Sequence, residues 1–354
     1  MHACIFVLFS IILTPFKVYV VSRLYFTMPD KSEHNDNLRK RVVVVTGSGR
    51  GIGMAVATEF ARSGYYTMIN DLEQEDEIKL AAEEIFKKIG GNNSNNNKKV
   101  AYFVGDVSDE KIAVALIEET MKRFGRIDTL INTAAISEKY SRTGQTSTGT
   151  LTNSVHKQAS PYFTLEEYEV ADAHLKGAYY CIREAAKQMA ITAYQDQAKK
   201  DKITKAGIVT IGADYSIINI SSPFDSIPRV EADAYTFSMS GVDPSMSSRV
   251  GIKSLTKTVA LQLAENGIRV NAIAPGVIST DIINKQMLED KGKSIERETN
   301  IPFHRIGTPE EIAKIALFLA SDAASYITGS LIYADGGLSL SHSNYYLEKN
   351  IEED

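Results

Sequence analysis

The amino-acid sequence predicts an α/β protein: a single doubly wound domain whose parallel seven-stranded sheet carries helices on both faces. Three observations predict it. From residue 40 onward, short β-branched runs alternate with amphipathic helical stretches, the pattern of a parallel sheet covered on both sides. The first run, Val42 to Val45, leads straight into Thr46-Gly47-Ser48-Gly49-Arg50-Gly51-Ile52-Gly53 and then into an Ala-rich helical stretch, so strand, tight glycine turn and helix follow one another. No shift in composition marks a second domain.

Residues 1–40 form an extension ahead of the domain. Ala3 to Leu13 is almost wholly apolar but too short for a bilayer span, and a longer span must carry Pro15 and Lys17. The charged start and small-residue cleavage site of a secretion signal are missing. The preferred reading is a chain start at Met28, ahead of a polar leader; a membrane-associating anchor and an inert extension are the alternatives.

The domain runs over 41–340. Strands are predicted at 42–46, 66–70, 100–104, 129–132, 216–221, 269–273 and 330–334, and helices at 54–63, 78–89, 110–124, 165–189, 250–265 and 309–320. Several stretches read as insertions. Residues 90–99 are Asn-rich, 137–160 are rich in Ser, Thr, Gln and Gly, and 191–214 are polar and Lys-rich. A further insertion near 239–248 is argued below, and 341–354 form a tail. Tolerated surface loops are the plain reading; for 137–160 and 191–214, a lid or specificity loop is the other.

Composition narrows the function. At 44% hydrophobic and 23% charged, the chain is globular with a large core. A net charge of −5 without a basic block argues against nucleic acid as a partner. Cys4 and Cys181 are too far apart in sequence for a disulfide framework or a metal cluster, which points to a reducing, cytoplasmic compartment and to no metal.

The glycine turn carries chemistry. Glycines let the backbone pass close to a pyrophosphate, and the helix that follows aims free N–H groups and its positive dipole end at it. Asp71, about 20 residues further on, ends the second strand. A carboxylate there accepts hydrogen bonds from ribose hydroxyls and repels a 2′-phosphate, which predicts NAD. Arg50 favours the alternative, NADP, because a cation in the turn can meet that phosphate. The plain structural alternative for Asp71 is a helix N-cap.

The spacing Thr46-Gly47-x-x-x-Gly51-x-Gly53 resembles the short-chain dehydrogenase/reductase family, with its Rossmann fold, and other motifs extend the resemblance over about Arg41 to Leu340. It implies cofactor contacts from Gly47, Arg50, Gly51, Ile52 and Gly53, from Asp71, and from Asp106-Val107, which bracket the adenine. Asn132-Thr133-Ala134-Ala135 resembles the family's Asn-Asn-Ala-Gly, with Thr133 for the second Asn and Ala135 for Gly. Pro275-Gly276, followed by Ile278 and Thr280, is implied to face the nicotinamide carboxamide. Arg183-Glu184-Ala185, Ile227-Pro228 and the ending Ala334 to Leu340 look most like the glucose 1-dehydrogenase branch.

For catalysis the resemblance implies Ser222 as the substrate-orienting hydroxyl and Tyr235 as the acid/base. A free tyrosine titrates at about 10, so the family lowers it with a lysine one turn later. That lysine is absent. Met239 stands at the fourth position after Tyr235, whereas Arg249 takes the lysine's register when counted back from Leu255-Thr256-Lys257. The two counts conflict, and the partial echo between 238–244 and 245–251 reads as a local insertion. Pro244 inside a helix costs about 3 kcal/mol, whereas Asp243-Pro244 suits a cap and first turn, so a fresh helix is predicted to begin there. Arg249 supplies positive charge but is forked and planar, no conservative stand-in for lysine. His174 replaces the family's relay-water Asn. It can relay protons itself, with a reference pKa of about 6.5, or simply pack.

The resulting expectation is an NAD(P)-dependent oxidoreductase moving a hydride between a secondary alcohol, sugar- or polyol-like, and nicotinamide. Two alternatives stay open: a catalytically impaired protein that binds dinucleotide without turnover, and a 3-oxoacyl reductase-like enzyme. The expected partners are a small-molecule alcohol or carbonyl and, by the resemblance, a second copy of the chain; no firm membrane association is expected.

Overall fold

A computed structural model of the chain describes residues 7–14, 17–24, 40–72, 74–90, 99–134, 165–200, 215–223, 244–280 and 301–340. The chain divides into two units, residues 1–39 and 40–354. In the first unit β1 (Val7–Thr14) and β2 (Lys17–Leu24) pair antiparallel, from Val7 opposite Leu24 to Thr14 opposite Lys17. Within the apolar run of the extension, residues 7–13 are therefore strand. Its β-branched, nearly continuous apolar sequence fits that state. Among the described residues, no helix is long and apolar enough to cross a membrane.

The second unit begins with β3 (Val42–Thr46), α1 (Gly51–Arg62), β4 (Tyr66–Asp71), α2 (Glu75–Lys88) and β5 (Val100–Val104). It continues with α3 (Glu110–Phe124), β6 (Thr129–Asn132), α4 (Leu165–Lys200) and β7 (Tyr215–Ile220). α5 (Pro244–Leu263), β8 (Ile268–Pro275), α6 (Pro309–Ala320) and β9 (Leu331–Ala334) complete it. The seven strands β3 to β9 form one sheet in the order β5-β4-β3-β6-β7-β8-β9, with every pair parallel. This is the predicted fold class. The chain winds outward from β3 to β5, then returns to lay β6 on the other side of β3, so strand order reverses between β3 and β6. In open α/β sheets ligands bind at the carboxyl ends of the strands at such a reversal.

Alternation within each strand builds two cores. Val43 and Val45 of β3 pack with Phe60 of α1, Ile78 and Ile85 of α2, and Ile312 and Leu319 of α6. Val44 points the other way, into a layer with Leu116 and Ile117 of α3, Cys181 and Met189 of α4, and Val259 of α5. Side chains two residues apart share a face, so one buried valine run feeds both layers. Burial pushes the Cys181 thiol up to about 12, which suits an inert core residue. Cys4 lies outside the described residues.

At the amino end of the sheet, Asp128 is 2% exposed yet fully engaged. Its Oδ2 accepts the Val42 N–H at 2.7 Å and the Arg126 Nε–H at 2.9 Å, tying β3 to the start of β6. The Tyr215 hydroxyl donates to Asp196 beside this pair, and burial raises its pKa.

Several boundaries differ from expectation, three of them as follows. α4 runs on to Lys200, so the first ten residues of the 191–214 segment are helix and only 201–214 lie outside the described residues. β8 extends to Pro275, and α5 begins at Pro244, where the proline argument placed a fresh helix, rather than at 250. Residues 91–98 and 137–160 lie outside the described residues, as do 239–243 of the 239–248 segment.

Candidate active site

The glycine turn sits at the carboxyl end of β3, beside the strand-order reversal. Gly47 adopts φ +61°, and a Cβ there would lie 2.6 Å from Ala134 Cα. A Cβ on Gly53 would lie 2.0 Å from Gly47 O, so the first turn of α1 can close on the loop only as glycine. Ser48 holds the loop from beneath: its N–H donates to Asn70 O at 2.9 Å and its hydroxyl to Val45 O at 2.7 Å. Asn70 extends the tie, its Nδ2 donating to Phe103 O and Gly105 O, so β3, β4 and β5 meet through two polar side chains.

Asp71 ends β4 and reaches back to the turn. Its Oδ2 accepts the Gly49 N–H at 2.9 Å and its Oδ1 the Leu72 N–H at 2.8 Å. Gln74, not Asp71, stands at the N-cap position of α2 and makes no side-chain cap there, which removes the N-cap reading for Asp71. A carboxylate has about four acceptor sites, so these two bonds leave capacity for ribose hydroxyls. Arg50 is exposed at the N-cap of α1, which has no side-chain cap and no acidic residue in its first turn. α3 and α6, by contrast, are capped by Asp109 and Thr308. Ile52, half-buried, packs on the core.

The other strand ends converge on the same crevice. Asp106 accepts the Ser108 N–H at 2.9 Å, and Val107 is buried against α4. A Cβ on Gly177 would lie 3.1 Å from Val107 Cγ2, so that glycine lets α4 approach the turn after β5. After β6, the amides of Thr133 and Ala134 both donate to Thr46 Oγ1, at 3.2 and 3.3 Å. Pro275, the last residue of β8, is buried, and Gly276 just after it lies so close to Asp335 that a Cβ would stand 2.7 Å from its Cα. Ile278 forms a parallel bridge to Gly307, and Thr280 Cγ2 comes within 3.4 Å of where a Cβ of Gly51 would stand. The loop after β8 therefore closes over the glycine turn.

These features fit a dinucleotide. A close glycine backbone and an uncapped helix N-terminus suit a pyrophosphate, and two buried side-chain oxygens, Asn132 Oδ1 and Thr133 Oγ1, have no hydrogen-bond partner among the described residues.

Of the expected catalytic residues, Ser222 is 6% exposed just past β7, whose end is tied to β8 by the Ser221 N–H donating to Ile273 O. His174 is half-buried on α4, and Arg249 lies in the second turn of α5. α4 and α5 meet where a Cβ on Gly251 would stand 3.0 Å from Leu175 Cδ2, so His174 and Arg249 flank one helix contact. Tyr235, Met239 and Ala135 lie outside the described residues. Sequence reasoning missed Thr46, Ser48, Asn70, Asn219 and Thr256. Polar residues inside otherwise apolar strands were the available signal for Asn70 and Asn219; Thr256 on a helix offered none.

The chain matches the family model described as enoyl-(acyl carrier protein) reductase over residues 47–196 and 216–339. It is 32% identical to 3beta-hydroxysteroid dehydrogenase 1 of Eggerthella lenta over 86% of this chain and 96% of that one. It is 30% identical to glucose 1-dehydrogenase 2 of Bacillus subtilis, with the same two coverages of 86% and 96%. A crystal structure of a short-chain type dehydrogenase/reductase from Mycobacterium marinum superposes with a TM-score of 0.63 at 26% identity, covering 85% of this chain and 96% of that one. The family-model match runs from the glycine turn just after β3 through to β9. The chain belongs to the short-chain dehydrogenase/reductase family, oxidoreductases that act on alcohols with a nicotinamide dinucleotide.

Proposed function

We propose that the protein is an NAD-dependent dehydrogenase of a secondary alcohol of sugar or polyol type, with Tyr235 as its acid/base. The observation that carries the cofactor preference is Asp71. Its carboxylate is anchored on the glycine turn by the Gly49 N–H, where a 2′-phosphate would meet a fixed negative charge. The substrate class draws on a glucose dehydrogenase among the relatives.

When bound, the nicotinamide supplies the carbon that accepts or gives up the hydride. The chain's own residues do the rest. Ser222 orients the substrate oxygen, and Tyr235 takes the alcohol proton as the hydride leaves or returns it in the reverse direction. Deprotonating that tyrosine near neutral pH needs a nearby cation. Pro244 to Leu263 is one continuous helix, so the register counted back from Leu255-Thr256-Lys257 holds through Arg249. This favours Arg249 over Met239 as the lysine's replacement. His174, on the helix that packs there, relays the proton outward.

The test is titration of NADH and NADPH into the full chain, beside NAD reduction with glucose, polyols and secondary alcohols, repeated for Tyr235→Phe. Turnover lost with binding kept supports the tyrosine mechanism. Binding without turnover on every substrate favours a dinucleotide-binding protein with an impaired site, a reading that the Met239 and Arg249 departure motivates.

A further inference from the structure

Three polar side chains form a chain of hydrogen bonds through the sheet-to-helix layer beneath the site. Asn132 Nδ2 donates to Asn219 Oδ1 at 2.8 Å, Asn219 Nδ2 to Thr256 Oγ1 at 2.9 Å, and the Thr256 hydroxyl to the Ile252 carbonyl at 2.7 Å. Their residues are 5%, 0% and 1% exposed. Each stands at a working position. Asn132 ends β6 opposite Thr46, beside the dinucleotide crevice. Asn219 pairs with it across the sheet, three residues before Ser222. Thr256 lies on α5, two turns beyond Arg249.

The chain has a direction, and the helix sets it. A hydroxyl has one hydrogen, and Thr256 spends it on the helix carbonyl four residues back, so its oxygen must accept. Asn219 must therefore turn its NH₂ toward α5 and its carbonyl toward β6. Asn132 must answer with its own NH₂, which leaves its Oδ1 as the acceptor at the far end. That atom is one of the two buried oxygens without a partner among the described residues. We propose that Asn219 and Thr256 are positioning residues that lock the amide of Asn132, so that the crevice presents a fixed acceptor to a hydroxyl or amide donor of the bound dinucleotide. The inference rests on the dinucleotide-binding reading above and adds residues that touch neither cofactor nor substrate. Removing the Thr256 hydroxyl frees Asn219 to flip, and Asn132 with it, although Thr256 does not touch Asn132.

The test has two arms. In the first, without cofactor, side-chain amide signals of ¹⁵N-asparagine-labelled full chain are compared for wild type, Thr256→Val and Thr256→Ser, with Asn132→Ala and Asn219→Ala for assignment. The proposal expects Thr256→Val to shift or broaden the signals of both Asn219 and Asn132, and Thr256→Ser to leave both in place. An Asn132 signal unmoved by Thr256→Val overturns it. Thr256→Ala deletes the same hydroxyl should the valine variant not fold. In the second arm NADH is titrated into the same proteins. Affinity about tenfold weaker for Thr256→Val and within twofold of wild type for Thr256→Ser supports the proposal. Equal affinities with a lowered melting temperature mean a merely structural bridge and overturn it. A wild type whose bridge passes the first arm but which binds neither NADH nor NADPH instead overturns the dinucleotide reading.

Discussion

Single atoms decide the cofactor turn. A methyl group at residue 53 would stand 2.0 Å from a backbone oxygen that has nowhere to go. Gly53→Ala should abolish NADH binding and destabilise the domain by about 3 kcal/mol, as overpacking of a close backbone contact does. Fluorescence titration and thermal unfolding check both. In the proposed cofactor preference Asp71 works by charge and anchorage together. Asp71→Ser removes the charge that opposes a 2′-phosphate and the anchored ribose acceptor, and a hydrogen bond to a charged group is worth about 1.5–3 kcal/mol. NAD affinity should fall at least about tenfold while NADP affinity rises, and parallel titrations of NADH and NADPH read the ratio. An unchanged ratio would remove Asp71 from the specificity argument.

Elements are joined by clasps that a list of strands and helices does not contain. The loop after β8 is held by the segment leading into α6: the Ser279 N–H donates to Gly307 O, and the Gly307 N–H to Val277 O. That segment is fixed in turn by the capping box of α6, in which Thr308 and Glu311 satisfy each other's backbone N–H, and by Arg305 gripping Glu311 at 2.7 and 2.9 Å. Thr308→Ala should cost about 1 kcal/mol, visible as a lower melting temperature. The Arg305 guanidinium first, then the Thr308 N–H, hold the Glu311 carboxyl down at about 2. A depressed carboxyl stabilises the fold above its unfolded value of about 4.3, and the gain fades as pH falls from there toward 2. The pair is largely exposed, so the gain stays below about 1 kcal/mol. The melting-temperature gap between wild type and Glu311→Gln should thus be open at pH 7 and close by about pH 2; a gap constant over that range would contradict the assignment.

At the scale of the whole molecule, the helices that flank the site also carry several exposed apolar side chains. Tyr179, Ile191 and Tyr194 on α4 are 46%, 52% and 76% exposed, and Leu261 on α5 is 81% exposed. A second copy covering these helices would bury them, which agrees with the homo-oligomer that the family resemblance implies. Leu261→Glu should then shift the protein toward monomer in light scattering, with its melting temperature losing any dependence on protein concentration. A wild type that is already monomeric would remove this interface.

The sequence by itself determined the α/β class, the helix start at Pro244 and the strand, glycine turn and helix order that opens the sheet, because these depend on local periods, turns and caps that recur at fixed spacing. Asp71 was legible for the same reason: its distance from the glycine turn is set along the chain. Only the tertiary structure decided what lies across the chain. Val7–Thr14 paired antiparallel with Lys17–Leu24, and α4 outran its apolar pattern to Lys200. The Asn132–Asn219–Thr256 bridge joins residues 87 and 37 positions apart, whose side chains meet only once two strands and a helix have packed. Hydrogen bonds between distant polar side chains leave no periodic mark in a sequence, since each residue taken singly is an ordinary Asn or Thr.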